Sequence, residues 1–183
     1  TASVLDVYMG DPRVHSTMFV SPVHHHYGGL VLADPSGLVT SPTYFLYRFY
    51  RERFEPRIVA TETTSPTFSS TQLGVVKAHT GAPTLMARAS KSANGRRLTV
   101  LLVNRSIDGP LETDVSIDGF EPARVNCEIL APPQLNAING PSLTGTVVKN
   151  SNVKPRPFAC ESAASQRLTL PPGSIVSLVA EAS

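Results

Sequence analysis

The 183-residue sequence predicts a mainly β chain: an antiparallel β-sandwich of jelly-roll type over residues 56–183, preceded by residues 1–55 with the grammar of an α/β barrel. Two observations carry this. Up to residue 55, helical periodicity alternates with one buried-type β-prone run. Beyond it helical periodicity disappears, and short β-prone runs alternate with turn clusters over about 125 residues, the pattern of a sandwich. Apolar residues make up 41% of the chain, enough for a packed core.

The elements follow in order. Residues 1–9 read as the tail of a helix with Val4, Leu5 and Tyr8 on one face, stopped by Gly10-Asp11-Pro12. Val14–Val20, with few charges, reads as a short strand buried on both faces. The segment Ser21–Gly29, SPVHHHYGG, follows, then an extended piece, LVLADPSG, that ends in a turn. Ser41-Pro42 opens the clearest helix: Ser41 suits the N-cap and Pro42 the first helical position. Phe45, Leu46, Phe49 and Tyr50 make one face of it strongly aromatic, Arg48, Arg51 and Arg53 a solvated face, and Pro56 forbids its continuation. The expected strands are Arg57–Thr63, Gly74–His79, Thr84–Ser90, Leu98–Asn104, Thr113–Asp118, Arg124–Leu130, Gly145–Lys149, Arg167–Leu170 and Ile175–Ala180. Gly95, Asp108-Gly109 and Asp118-Gly119 punctuate them, and Pro132–Pro157 reads as a long loop crossing the sandwich. Residues 1–55 are too few for a barrel, so their apolar faces call for a partner that supplies the rest.

Charge and composition exclude several classes. The formal net charge is +2, without clustered Lys and Arg, so no nucleic-acid footprint is present. No apolar run approaches the roughly 20 residues of a membrane span. The opening TASVLDVYMG lacks the basic start and apolar run of a signal peptide, and without an initiator Met it reads as the product of processing or cleavage. Low charge and many Ser and Thr lean toward an extracellular or periplasmic setting over a cytoplasmic one. Cys127 and Cys160 are compatible with a disulfide or with two buried thiols. The sequon Asn104-Arg105-Ser106 directly follows a strand and reads first as a strand-end turn.

Four stretches, in order, resemble the family 51 α-L-arabinofuranosidases. Ser41–Tyr50, SPTYFLYRFY, is similar to the family's TPTYHVFxLY opening of the last barrel helix. Leu98–Ser106, LTVLLVNRS, resembles its VVNRS strand. Ile129-Leu130 with Gln134–Asn139, QLNAIN, is similar to its L…DLxAxN segment, and Leu170–Leu178, LPPGSIVSL, to its closing LPPxSVxxL strand. The resemblance implies a (β/α)8 barrel followed by the sandwich, with Val14–Val20 as the eighth barrel strand. It implies a retaining glycosidase acting on terminal α-L-arabinofuranosyl units of hemicellulose through two glutamates. Some relatives of this architecture are endoglucanases.

The acid/base glutamate of the family follows Asn, and no Asn-Glu pair occurs among the eight glutamates here, so no catalytic residue is carried over. The partners implied are an upstream catalytic-barrel chain and an oligosaccharide or polysaccharide substrate, with homo-oligomer contacts open, no nucleic acid, no membrane and no cofactor. The loop after the eighth strand faces the pocket of such a barrel. That places Ser21, His24, His25, His26 and Tyr27 as the substrate-binding candidates, with hydroxyl and imidazole groups to hydrogen-bond a sugar and a ring to stack on it. The family's Gln and Asn near this point are replaced. A zinc site at the three adjacent His would need a third and fourth ligand from elsewhere, because at most His24 and His26 share a face of an extended chain. The alternatives are a plain structural loop and, for the whole chain, a carbohydrate-binding or bracing module; the lack of Trp disfavours sugar binding by the sandwich alone.

Overall fold

A computed structural model describes residues 2–14, 16, 23–24, 29–34, 37–140 and 151–183. The chain begins with α1 (Ala2–Gly10). β1 (Val23–His24), β2 (Val31–Asp34) and β3 (Gly37–Thr40) form a small sheet in that order, β1 parallel and β3 antiparallel to β2. Helix α2 (Pro42–Arg53) follows as expected: the Ser41 hydroxyl accepts from the Tyr44 N–H at 3.3 Å, and Pro42 fills the first turn.

The remaining strands are β4 (Arg57–Val59), β5 (Thr67–Ser70), β6 (His79–Pro83), β7 (Leu85–Lys91), β8 (Arg97–Asn104), β9 (Leu111–Ser116), β10 (Arg124–Leu130), β11 (Arg156–Phe158), β12 (Ser165–Leu170) and β13 (Ile175–Glu181). Six make an antiparallel sheet in the order β11-β10-β13-β8-β7-β4. β12 and β9 make a second layer, and β5 and β6 a separate hairpin.

Alternation along β8 sets the architecture. Leu98, Val100 and Leu102 point into the sandwich, where they meet Val176, Leu178 and Ala180 of β13 and Leu168 and Leu170 of β12. Leu101 and Val103 point to the opposite face and pack against Phe45, Leu46 and Phe49 of α2. The uninterrupted apolar run of β8 therefore reflects burial on both faces. The aromatic face of α2, which sequence alone leaves in need of an external barrel, is covered inside this chain: Phe49 is only 2% exposed. The covering surface lies 50 residues or more downstream, beyond the reach of a local pattern.

Three further departures concern α1, the tip of the β5–β6 hairpin and two short strands. In α1 the buried residues are Ala2, Leu5 and Asp6, whereas Val4, Val7 and Tyr8 are exposed. The reason is the ion pair of Asp6 with Arg88 of β7, at 2.9 Å, which turns that side of the helix toward the sheet. The strand expected at Gly74–His79 is instead the tip of the β5–β6 hairpin: Leu73 and Val76 exchange backbone hydrogen bonds, and Gly74 has a φ of +58° that suits the turn. β5 and β11 were not expected. The strands expected at Val14–Val20 (apart from Val14 and Ser16, which lie in no strand) and at Gly145–Lys149 fall outside the described residues.

Cys127 and Cys160 form a disulfide, which settles the alternative left open by sequence. It ties β10 to the segment leaving β11, next to the Cys127–Phe158 pairing.

Candidate functional site

Of the five substrate-binding candidates, Ser21, His25, His26 and Tyr27 lie outside the described residues. His24 is placed by its backbone in β1, opposite Leu32 of β2. The framework next to this loop is well defined. Gly29 is buried, and the Leu30 carbonyl accepts from the Ser41 N–H at 2.8 Å, so the β2–β3 hairpin begins and ends at the α2 N-cap.

One buried side chain fastens this hairpin to the sandwich. Asn139 is 2% exposed, and its amide nitrogen donates to the carbonyls of Thr40, at 3.0 Å, and Val153, at 2.7 Å. Its oxygen accepts from the Val153 N–H at 2.5 Å. Next to it, Gly140 has a φ of +109°, and a Cβ there would approach Leu32 to 3.3 Å. The Gln134–Asn139 stretch is thus the contact between the long connection and β2–β3, a role that periodicity does not reveal.

Asn104 plays the matching part inside the sandwich. It is 1% exposed, donates to the carbonyls of Leu170, at 2.8 Å, and Pro171, at 2.9 Å, and accepts from the Ser106 N–H at 2.8 Å. Its own N–H donates to the Ser174 carbonyl. The strand-end reading of the sequon therefore holds, and Asn104 and the Leu170–Ser174 turn, from two stretches that carried the family resemblance, meet at one network.

Several of the described carboxylates are held by arginines. Asp6, Glu52, Glu55 and Glu128 are ion-paired with Arg88, Arg48, Arg97 and Arg53. The hydrogen bond from Arg13 holds the Asp11 carboxyl below its ordinary range, and that from Arg167 does the same to Asp114. A general acid needs the opposite shift. Burial pushes the Tyr50 hydroxyl up, with the Asp6 charge adding to it, so this phenol stays neutral as part of the α1–α2 packing. Among the described residues no group of three or more His, Cys, Asp or Glu could hold a metal ion. None of the described helices is long and apolar enough to cross a membrane.

This arrangement has the fold of the C-terminal portion of a glycoside hydrolase. Its neighbours among solved structures include family 51 α-L-arabinofuranosidases. The enzyme from Bifidobacterium longum matches with a TM-score of 0.77 at 18% identity, over 98% of this chain and 33% of that one. An arabinose complex of the Thermotoga maritima α-L-arabinofuranosidase matches with a TM-score of 0.69 at 21% identity, over 84% and 32%. Another arabinose-bound family 51 α-L-arabinofuranosidase matches with a TM-score of 0.72 at 13% identity, over 98% and 26%. The chain thus spans about a third or less of the length of these enzymes. No protein-family profile and no curated protein sequence matches it.

Proposed function

We propose that this chain is the C-terminal part of a retaining glycoside hydrolase that releases terminal α-L-arabinofuranosyl units from hemicellulose. In this reading residues 1–55 are the end of a (β/α)8 catalytic barrel and residues 56–183 the sandwich that braces it. The observation that carries the reading is the fold, shared over 98% of the chain with the Bifidobacterium longum enzyme. The four ordered motifs support it: Asn104 and Asn139, each inside one of them, are buried clamps of this fold. Both catalytic glutamates belong to the upstream segment, consistent with the absence of an Asn-Glu pair here. Retaining hydrolysis needs two carboxyl groups about 5–5.5 Å apart on either side of the bond.

The contribution of this chain to the sugar site is the Ser21–Tyr27 loop. His24, His26 and Tyr27 offer hydrogen bonds to ring hydroxyls and one aromatic face, and Ser21 and His25 flank them. The exposed Val4, Val7 and Tyr8 of α1 are the surface on which the preceding barrel elements pack. The disulfide favours an oxidising compartment.

The test is hydrolysis by the full-length protein of 4-nitrophenyl α-L-arabinofuranoside against the β-D-xyloside and the β-D-glucoside. Release from the arabinofuranoside alone, with no turnover by residues 1–183 on their own, is expected. Preference for the glucoside, or turnover by this chain alone, overturns the reading.

A further inference from the structure

Four of the described arginines are half-buried: Arg53, Arg88, Arg97 and Arg105. Three of them hold a carboxylate: Arg53 pairs with Glu128, Arg88 with Asp6 and Arg97 with Glu55. A guanidinium drawn partly out of water needs such a partner, because its lost hydration is otherwise uncompensated. Arg105 has none among the described residues. Its guanidinium instead lies over the Phe68 ring, 4.9 Å from the centroid, and one N–H meets the Met86 sulfur, a weak acceptor, at 3.5 Å. Its backbone N–H donates to the Thr84 carbonyl at 2.8 Å, which fixes the residue at the end of β8.

The surroundings favour an anion as the missing partner. From residue 63 to residue 107 the sequence has Lys77, Arg88, Lys91, Arg96, Arg97 and Arg105 but no Asp or Glu. Phe68 belongs to β5, so Arg105 stands at the root of the β5–β6 hairpin, whose strands pair only with each other among the described residues. This hairpin exposes Ser69, Ser70, Thr71, Gln72, His79 and Thr80. Hydroxyl, amide and imidazole groups beside a ring that is 37% exposed match the hydroxyls and C–H faces of sugars. A guanidinium fork matches a carboxylate through two parallel hydrogen bonds. The Phe68 ring already holds that fork in place, so little side-chain freedom is lost when an anion binds.

We infer that Arg105, stacked on Phe68 at the root of the β5–β6 hairpin, binds a uronic-acid carboxylate of an acidic polysaccharide. The guanidinium supplies the contact to the carboxylate, and the Ser- and Thr-rich hairpin supplies hydrogen bonds to the neighbouring sugars. Lys77, in the turn between β5 and β6, extends the positive charge along the hairpin, so a run of uronates binds more tightly than a single one. The carboxylate follows from the unpaired state of Arg105 alone. The choice of a polysaccharide as its carrier rests on the proposed function, which places the protein on plant-type glycans.

The test is the affinity of the full-length protein for polygalacturonate, read from its retardation in native gels and set against neutral arabinan and polyglutamate. Saturable retardation by polygalacturonate is expected, with Arg105→Ala weakening it about tenfold or more, the loss of a charge-assisted contact. Arg96→Ala removes the same charge from the exposed turn at the opposite end of β7 and β8, and is expected to leave the affinity unchanged. An equal loss in both variants means general charge attraction and overturns the inference, as does the absence of retardation or equal retardation by arabinan. Equal retardation by polyglutamate overturns the polysaccharide as carrier, since that polymer offers carboxylates without sugars. Should Arg105→Ala not fold, Arg105→Lys decides, because it keeps the charge and loses the fork: a weakening of about threefold or more supports the site, and an unchanged affinity overturns it. Arabinofuranoside hydrolysis is scored separately. Uronate binding without hydrolysis leaves the Arg105 site standing and removes the proposed substrate; hydrolysis without uronate binding overturns this inference alone.

Discussion

Replacing Asn104 with Ala tests whether buried amide clamps hold the sandwich closed. The side chain makes three hydrogen bonds, to the Leu170 and Pro171 carbonyls and from the Ser106 N–H. At about 1 kcal/mol net each, their loss costs about 3 kcal/mol, and more if water cannot reach the carbonyls left behind. For a chain of this size that lowers the thermal midpoint by about 6–12 °C. Asn104→Asp keeps the acceptor for Ser106 but sets carboxylate oxygens against two carbonyl oxygens, so it is expected to destabilise at least as much near neutral pH. Urea unfolding followed by far-UV circular dichroism gives both values on one scale. A loss below about 1 kcal/mol for both variants refutes the reasoning, since the network would then exchange freely with water. The same geometry predicts that expression in an N-glycosylating host leaves Asn104 unmodified, because its amide nitrogen is buried and doubly engaged. Intact mass checks this.

Phe49→Ala is expected to lower the stability of residues 1–183 by about 3–5 kcal/mol, because the ring is buried against β8 of the same chain; unfolding of the short chain by urea measures it. Reduction of Cys127–Cys160, 33 residues apart, is expected to cost about 3–4 kcal/mol by loop-closure entropy, read from urea midpoints with and without dithiothreitol. Arg167→Ala is expected to return the Asp114 carboxyl upward toward its ordinary value, visible in a carboxyl NMR titration. The sign follows from that depression. The Asp114–Arg167 contribution is present above the ordinary carboxylate range and fades as pH falls through the depressed folded value. In the full-length enzyme Tyr27→Ala is expected to raise KM for the arabinofuranoside about tenfold with the circular dichroism spectrum unchanged; an unmoved KM and kcat would return the loop to a structural role.

What could be read from sequence was what is written locally. The α2 start was legible because Ser41 caps the helix it precedes and Pro42 lies in its first turn. β8 and β13 were legible because their apolar runs are long and bounded by turns, and β10 because Val125, Cys127 and Ile129 alternate with polar residues. β5 escaped because all four of its residues are exposed and no alternation marks it. β11 escaped because it is three residues with Pro157 in the middle, held by pairing with β10. The buried side of α1 was misjudged because its period fixes which residues share a face, while Asp6 and Arg88, 82 positions apart, fix which face turns inward. Asn139 reaches back 99 positions to Thr40, so no window of sequence could show its role, although the motif containing it helped carry the resemblance. The candidate sugar loop is a different case: its residue types were legible, and only the position of His24 in β1 is described.

The packing of α2 bears on where the two proposed domains meet. By chain order and by resemblance α2 belongs to the barrel, yet its buried face lies on β8 and the neighbouring strands of the sandwich. Its last turn is tied to the same sheet. Arg53 pairs with Glu128 at 2.6 Å, the Thr99 hydroxyl donates to the Arg53 carbonyl at 2.6 Å, and Glu55 pairs with Arg97 at 3.3 Å. A cut between residues 55 and 56 would therefore expose Leu101 and Val103, and burial of each such side chain contributes about 1.5–3 kcal/mol. An interface of this kind does not hinge freely. In the proposed enzyme the sandwich then acts as a rigid brace on the last barrel helix, and through the Ser41–Leu30 hydrogen bond that helix holds the base of the β2–β3 hairpin beside the candidate sugar loop. One continuous set of contacts thus runs from β8 through α2 to residue 30.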